Sequence, residues 1–347
     1  MTPTQPPPIF TYMATVAPGL EPVAISEICT KLPSAWVQNQ LRGRVLFNTD
    51  APWEKLQNLR CVDNLYLHIA WLKVGPHKSH LADLSADIEN TPMHHLPFMT
   101  TAGPGTKIVV NASRSGQHTF SRFDAANAVL EGLSMAHRFI PGTVDSHDLN
   151  FRLDIIDTDA LFSLKLTDST FRFRGKRAFS PAALRPPIAH ALIWISNPQP
   201  TDTFLDPFCG SGTIPIERGA YEALSITGGD SSPEAVAVAE DNAPSHIQIM
   251  QMDARNLTNL APSSITTIVS NLPWGKQIAP GEDITGLYSR FFQEMDRILT
   301  SHGRAILLTD QENAIETACK VSGLEHQPIY TVSLHGALPV VYQVTRK

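Results

Sequence analysis

The chain has 347 residues, 42% hydrophobic and 17% charged, with a formal net charge of −6. That length holds two or three domains, each able to bury a core, and the composition is that of a soluble globular protein, not of a disordered or fibrous one. No stretch approaches the ~20 uninterrupted apolar residues of a membrane span. The opening M-T-P-T-Q-P-P-P lacks a basic stretch followed by an apolar one, so we expect an extended proline-rich tail and no signal peptide. Cys29, Cys61, Cys209 and Cys319 contain no C-x-x-C pair. Neither a zinc site nor a disulfide framework is expected, and a reducing cytoplasm fits.

In chain order, residues 9–16 read as a β-branched strand, Pro22 suits the first turn of a helix, and 43–47 and 64–74 read as further strands around a short helix at 53–59. This rhythm predicts a small α+β unit. Residues 81–89 and 123–135 read as helices, and 151–156 and 161–166 as strands. Between them, the run from Lys107 places Arg114, Gln117 and His118 on a loop after a strand. Phe171-Arg172-Phe173-Arg174-Gly175-Lys176-Arg177 interleaves aromatics with four cations. Such a stretch neutralises phosphates and stacks on bases; it equally suits an amphipathic edge strand.

Charge is uneven. Residues 1–177 hold 17 Lys/Arg and 16 Asp/Glu, whereas 178–347 hold 10 and 17. The acid is concentrated in the second half, which argues mildly against tight non-specific nucleic-acid binding.

Pro186-Pro187 begins a helix with Ile188, Leu192 and Ile195 at helical spacing; His190 and Trp194 are expected to pack. From 203 onward strands and helices alternate, predicting a mostly parallel, doubly wound sheet. Runs at 327–334 and 340–345, joined at His335-Gly336-Ala337, predict a closing antiparallel hairpin.

Two motifs stand out in this half. Asp206-Pro207-Phe208-Cys209-Gly210-Ser211-Gly212-Thr213 follows a short apolar run and precedes a helix, and Asn271-Leu272-Pro273-Trp274 ends a later apolar run. Glycines at a strand-to-helix turn let a ligand approach the backbone. Asp230, ending the next strand, stands where a carboxylate binds ribose hydroxyls. Cys209 reads as a small filler, since no His-Asp pair accompanies it. Asp206 could alternatively cap a helix. Pro215 occupies the place of a dinucleotide fingerprint's third glycine, which weakens an oxidoreductase reading.

D-P-F-C-G-S-G-T together with N-L-P-W resembles the S-adenosylmethionine-dependent amino-group methyltransferases, and N-L-P-W-G is similar to the THUMP-containing guanine-N2 RNA methyltransferases. K-I-V-V-N-A-S-R-S-G-Q-H-T-F-S and F-R-F-R-G-K-R carry a more diffuse resemblance to the RNA-binding THUMP module. The resemblance implies an α/β fold: a class I (Rossmann-like) methyltransferase domain with an antiparallel C-terminal hairpin, preceded by α+β ferredoxin-like and THUMP modules. The expected divisions are 1–60 (ferredoxin-like), 61–170 (THUMP), 171–200 (linker and lead-in helix) and 201–347 (methyltransferase).

What the resemblance implies for the site is specific. Asn271, Leu272, Pro273 and Trp274 would be catalytic, the amide and carbonyl oxygens accepting the target amine's hydrogens and the indole stacking on the base. S-adenosyl-L-methionine would be held by Asp206, Phe208, Cys209, Gly210, Gly212, Thr213, Asp230, Ser231, Asp253, Ala254 and Asn271. RNA would be met by Arg114, Gln117, His118, Arg172, Arg174, Lys176, Arg177 and Lys276. The expected reaction is methylation of a guanine N2 in tRNA, the acceptor stem favoured over ribosomal RNA or another tRNA guanine. We expect a cytoplasmic monomer engaging neither membrane nor metal. A non-catalytic RNA-binding protein retaining the fold is the alternative.

Overall fold

The computed structural model describes residues 8–174, 183–274, 283–334 and 336–347. The first half comprises β1 (Phe10–Thr15), α1 (Glu21–Lys31), β2 (Trp36–Leu41), β3 (Arg44–Thr49), α2 (Trp53–Leu56), β4 (Asn64–Lys73), α3 (Leu81–Asn90), β5 (Lys107–Ser115), α4 (Arg122–His137), β6 (Ile140–Pro141), β7 (Leu149–Ile156), β8 (Asp159–Lys165) and α5 (Ser169–Phe173). Its strands form one eight-stranded sheet in the order β2-β3-β1-β4-β8-β7-β5-β6. β4 pairs antiparallel with β1 on one side and with β8 on the other, so the expected seam near residue 60 is bridged by a continuous sheet.

The local chemistry explains the elements. Ser121 opens α4 with a capping box, accepting from Asp124 N while Asp124 accepts from Ser121 N. Arg138 closes that helix in the left-handed conformation. β2 was not anticipated: Trp-Val-Gln-Asn-Gln-Leu is largely exposed, so it lacks the apolar alternation that marks a strand, and it forms by pairing with β3. Residues 169–173 form a short helix capped by Asp168, where the sequence suggested an edge strand.

The second half comprises α6 (Pro186–Ile195), β9 (Thr203–Asp206), α7 (Thr213–Arg218), β10 (Ser225–Asp230), α8 (Pro233–Asn242), β11 (Gln248–Gln251), β12 (Ile265–Asn271), α9 (Ile284–Ile298), β13 (Leu299–Thr309), α10 (Glu312–Ser322), β14 (Glu325–Thr331) and β15 (Val340–Thr345). The seven strands run β11-β10-β9-β12-β13-β15-β14. All pairs up to β13 are parallel, and β15 joins β13 and β14 antiparallel, as the closing hairpin requires. β9 and β12 are adjacent although far apart in sequence, which makes their boundary the topological switch point where such sheets bind ligands.

One apolar cluster runs through both halves, joining Ala14, Val23 and Ile28 to Ile188, Leu192 and Val332. A second fills the opposite face of the seven-stranded sheet, around Phe291, Phe292 and Met295 of α9. Among the described residues no helix is long and apolar enough to cross a membrane.

Candidate active site

The C-terminal ends of β9, β10 and β12 open onto one cavity of about 290 Å³, lined by Asp206, Gly210, Asp230, Asp253, Asn271 and Pro273 among others. Asn271 and Pro273 of the N-L-P-W segment therefore share a pocket with the glycine loop, whereas Leu272 and Trp274 are not among its lining residues. Phe208, Cys209, Thr213, Ser231 and Ala254 also line it. Ala183 and Leu184, ahead of α6, and Leu287 of α9 complete the wall. Leu287 carries no sequence signal of a site, because only the fold brings it there.

Asp206 ends β9 with no exposed surface. Its Oδ1 accepts from Ser270 Oγ at 2.7 Å and from Phe208 N at 3.2 Å, while Oδ2 has no hydrogen-bond partner among the described residues. Burial pushes its carboxyl up to about 7, the two hydrogen bonds pulling the other way and the Asp230 charge adding to the rise.

Asp230 organises the loop itself. Its Oδ2 accepts from Gly210 N at 2.9 Å and its Oδ1 from Ser232 N at 3.0 Å. Gly210 has φ 52° and Gly212 φ 82°. Gly212 does not line the cavity: a Cβ there would lie 3.2 Å from Ala239 Cβ, so its role is to let α7 pack on α8. Cys209 is buried, and burial followed by the nearby Asp206 and Asp230 charges raises its thiol pKa far above the ordinary range. It stays protonated, which suits a filler and not a nucleophile. Asp253 is gripped by Arg255, with Nη2 2.7 Å from Oδ2 and Nε 2.9 Å from Oδ1.

At the end of β12, Asn271 Oδ1 accepts from Trp274 Nε1 at 2.8 Å. The indole nitrogen can only donate, so this bond determines which amide atom faces the ring. Leu272 buries its side chain completely, and Pro273 lines the cavity. Tyr288 of α9 was not singled out from the sequence, where it reads as one more core aromatic. Its hydroxyl donates to Pro273 O at 2.8 Å and pairs with Thr309 Oγ1 at 2.7 Å, bracing the turn from below.

The basic residues separate into groups. Arg114 and Gln117 are exposed at the end of β5, and His118 Nε2 bonds Asp157 O at 2.7 Å. Arg172 lies 5.2 Å from the Phe173 ring centroid and 3.4 Å from Asp63. Arg174 turns inward, donating to Arg60 O at 2.7 Å, and so does not face solvent as an RNA contact would. Lys176, Arg177 and Lys276 lie outside the described residues.

Comparison with known proteins agrees with this geometry. Residues 174–339 match the RMKL-like methyltransferase domain. The bovine protein named tRNA (guanine(6)-N(2))-methyltransferase THUMP3 is 30% identical over 264 residues, covering 69% of this chain and 51% of that protein; this chain thus spans about half the length of its mammalian relatives. A Thermus thermophilus tRNA (guanine(6)-N2)-methyltransferase is 28% identical over 303 residues, covering 85% and 88% of the two chains. The crystal structure of TrmN from Thermus thermophilus superposes with a TM-score of 0.81 at 25% identity, over 98% of this chain and 100% of that one. With the two motifs meeting in one pocket on this sheet, residues 174–339 form a methyltransferase domain of the RMKL-like kind, and the chain as a whole is similar to the tRNA (guanine(6)-N2)-methyltransferases just named.

Proposed function

We propose that the chain transfers a methyl group from S-adenosyl-L-methionine to the exocyclic N2 of a guanine in the tRNA acceptor stem, acting as a cytoplasmic monomer. The observation that carries this reading is the single cavity shared by the glycine loop and Asn271. Relatives whose names specify guanine 6 of tRNA support the choice of the acceptor stem.

The residues present fit the cofactor. A buried carboxylate with one oxygen unpartnered suits its ammonium, and Gly210 leaves the wall bare of a side chain. Asp230 would take the ribose hydroxyls and Asp253 the adenine amine, with Phe208, Cys209, Thr213, Ser231 and Ala254 forming the remaining walls. When bound, S-adenosylmethionine supplies an electrophilic methyl on a sulfonium. The chain's own part is to present the amine. Asn271 Oδ1 and the Leu272 carbonyl accept its two hydrogens and so turn the nitrogen lone pair towards the cavity. Pro273 has no N–H and a restricted φ, which keeps the turn rigid. Trp274 stacks on the extracted base, contributing roughly 1–3 kcal/mol against the few kcal/mol lost in unstacking it. Catalysis is then chiefly alignment, and no metal is called for.

The division into ferredoxin-like (1–60) and THUMP (61–170) modules belongs to the same proposal, with Arg114, Gln117, His118, Arg172, Lys176, Arg177 and Lys276 as the RNA-contacting residues. The test is incubation with labelled S-adenosylmethionine and unmodified tRNA, followed by nucleoside analysis. Label in N2-methylguanosine is expected. Label confined to pyrimidines, adenine or protein would overturn the reading.

A further inference from the structure

Between the eight-stranded sheet and the cavity lies a buried polar cluster for which the chemistry above has no use. Glu217 sits on α7, whose first residues Thr213 and Ile214 line the cavity one turn away. Its side chain is fully buried, and its Oε2 receives Arg60 Nη2 at 2.8 Å, Arg60 Nε at 3.0 Å and His190 Nδ1 at 3.0 Å. Burial, partly opposed by Glu217, lowers the pKa of His190, so the imidazole is neutral. It donates from Nδ1 to Glu217 and accepts at Nε2 from the Tyr221 hydroxyl, 2.8 Å away.

Arg60 belongs to the other half, and its backbone is held as firmly as its side chain. Arg60 N donates to Glu27 Oε1 at 2.9 Å, Cys61 N to Glu27 Oε2 at 2.7 Å, and Arg174 grips the Arg60 carbonyl. Lys31 pairs with Glu27 at 2.6 Å. Potential ligand atoms of Glu27, Cys61 and His190 lie within 4.8 Å of one another, a spacing a metal ion accepts. The cations Lys31, Arg60 and Arg174 already balance the two carboxylates, however, and both imidazole nitrogens are engaged. A divalent ion there would meet repulsion.

Two further fastenings join the same halves. Arg185, at the head of α6 and next to Leu184 of the cavity wall, places Nη1 2.9 Å from both Asp63 oxygens. Gly19 packs so closely on β14 that a Cβ would lie 2.0 Å from Thr331 O, and Ser333 N donates to Pro18 O at 2.8 Å. Apolar faces tolerate sliding, whereas hydrogen-bonded buried charges specify one arrangement, because any other leaves a charge unpaired.

We propose that the Arg60–Glu217–His190 cluster is a positioning device: it sets the angle at which the N-terminal half presents RNA to the cavity, and so governs which base arrives there. This rests on the proposed function for its consequence, though not for its geometry. Arg60→Met and Arg60→Lys are compared on full-length tRNA and on a short stem-loop carrying the same guanine, too short to reach the N-terminal sheet. Arg60→Met should slow methylation of tRNA by about tenfold or more, the effect of misaligned reactants. Its rate on the stem-loop and its cofactor affinity should stay within about twofold of wild type, as expected for a site distant from the chemistry. Arg60→Lys should recover part of the loss.

Spin labels at Glu89→Cys and Glu240→Cys, in a Cys29→Ser background, should report a broadened distance distribution in Arg60→Met. If Arg60→Met fails to fold, His190→Phe carries the same comparison. Equal losses on both RNAs, or an unchanged tRNA rate with an unchanged distance distribution, would overturn the proposal. If wild type methylates neither RNA, the functional reading falls, and the distance distribution alone decides the role of the cluster.

Discussion

Ser270 donates its hydroxyl to Asp206 across 2.7 Å, tying the residue before Asn271 to the residue that ends β9 ahead of the glycine loop. The two motifs are thus joined by a side-chain bond as well as by the sheet. Displacing one strand end displaces the other.

Asp206 makes the pocket pH-sensitive. Its carboxyl is raised to about 7 from 3.8, chiefly by burial. A raised acid holds its proton more tightly in the folded than in the unfolded chain. Its contribution to the stability of the ligand-free protein is therefore fully present below the unfolded value and is lost as pH rises from about 4 through about 7. Thermal melts at about pH 5 and about pH 8 should show wild type losing more stability between them than Asp206→Asn, which does not titrate. Cofactor affinity should rise across the same window in wild type, because the ionised form pairs with the ammonium, and stay level in the variant. A level wild-type profile would remove Asp206 from that role.

Asn271→Ala should lower turnover by at least about a hundredfold, the scale of losing a preorganised polar group at the reacting centre. Cofactor affinity should change by less than about threefold. Trp274→Phe separates two functions of one side chain. It keeps a ring for stacking and removes the N–H that orients Asn271, so the rate constant should fall by about tenfold with little change in KM for RNA. Single-turnover kinetics measure both; a KM effect alone would show that the indole only stacks.

Tyr288→Phe tests the brace under the turn. Removing the hydroxyl leaves Pro273 O and Thr309 Oγ1 without this partner, at a cost of about 1–3 kcal/mol for a buried group. A lower melting temperature is expected together with reduced turnover, since Pro273 and its neighbours then move more freely. Normal values of both would mean the carbonyl is held by something else.

Much of the site was legible because its chemistry is local. Asp206, Asp230 and Asn271 each end a strand that apolar runs and turn residues announce, Gly210 follows in the loop after the first of them, and parallel strands deliver their ends to one edge of the sheet. Less was legible where a residue type admits two uses. Gly212 has the conformation expected of a glycine loop yet serves helix packing, and Arg174 sits in a basic run yet turns inward. Tyr288 and Leu287 lie on a helix whose spacing announces only a core.

The sequence by itself determined the alternation of strands and helices, the two motifs and the strand ends that carry them, because hydrophobic periodicity and glycine or proline constraints act within a few residues. Only the tertiary structure decided that Arg60, His190 and Glu217 meet. Their attraction spans 157 positions between Arg60 and Glu217, and charges buried at that separation take their partners from the packing of whole sheets and helices, which no local pattern encodes.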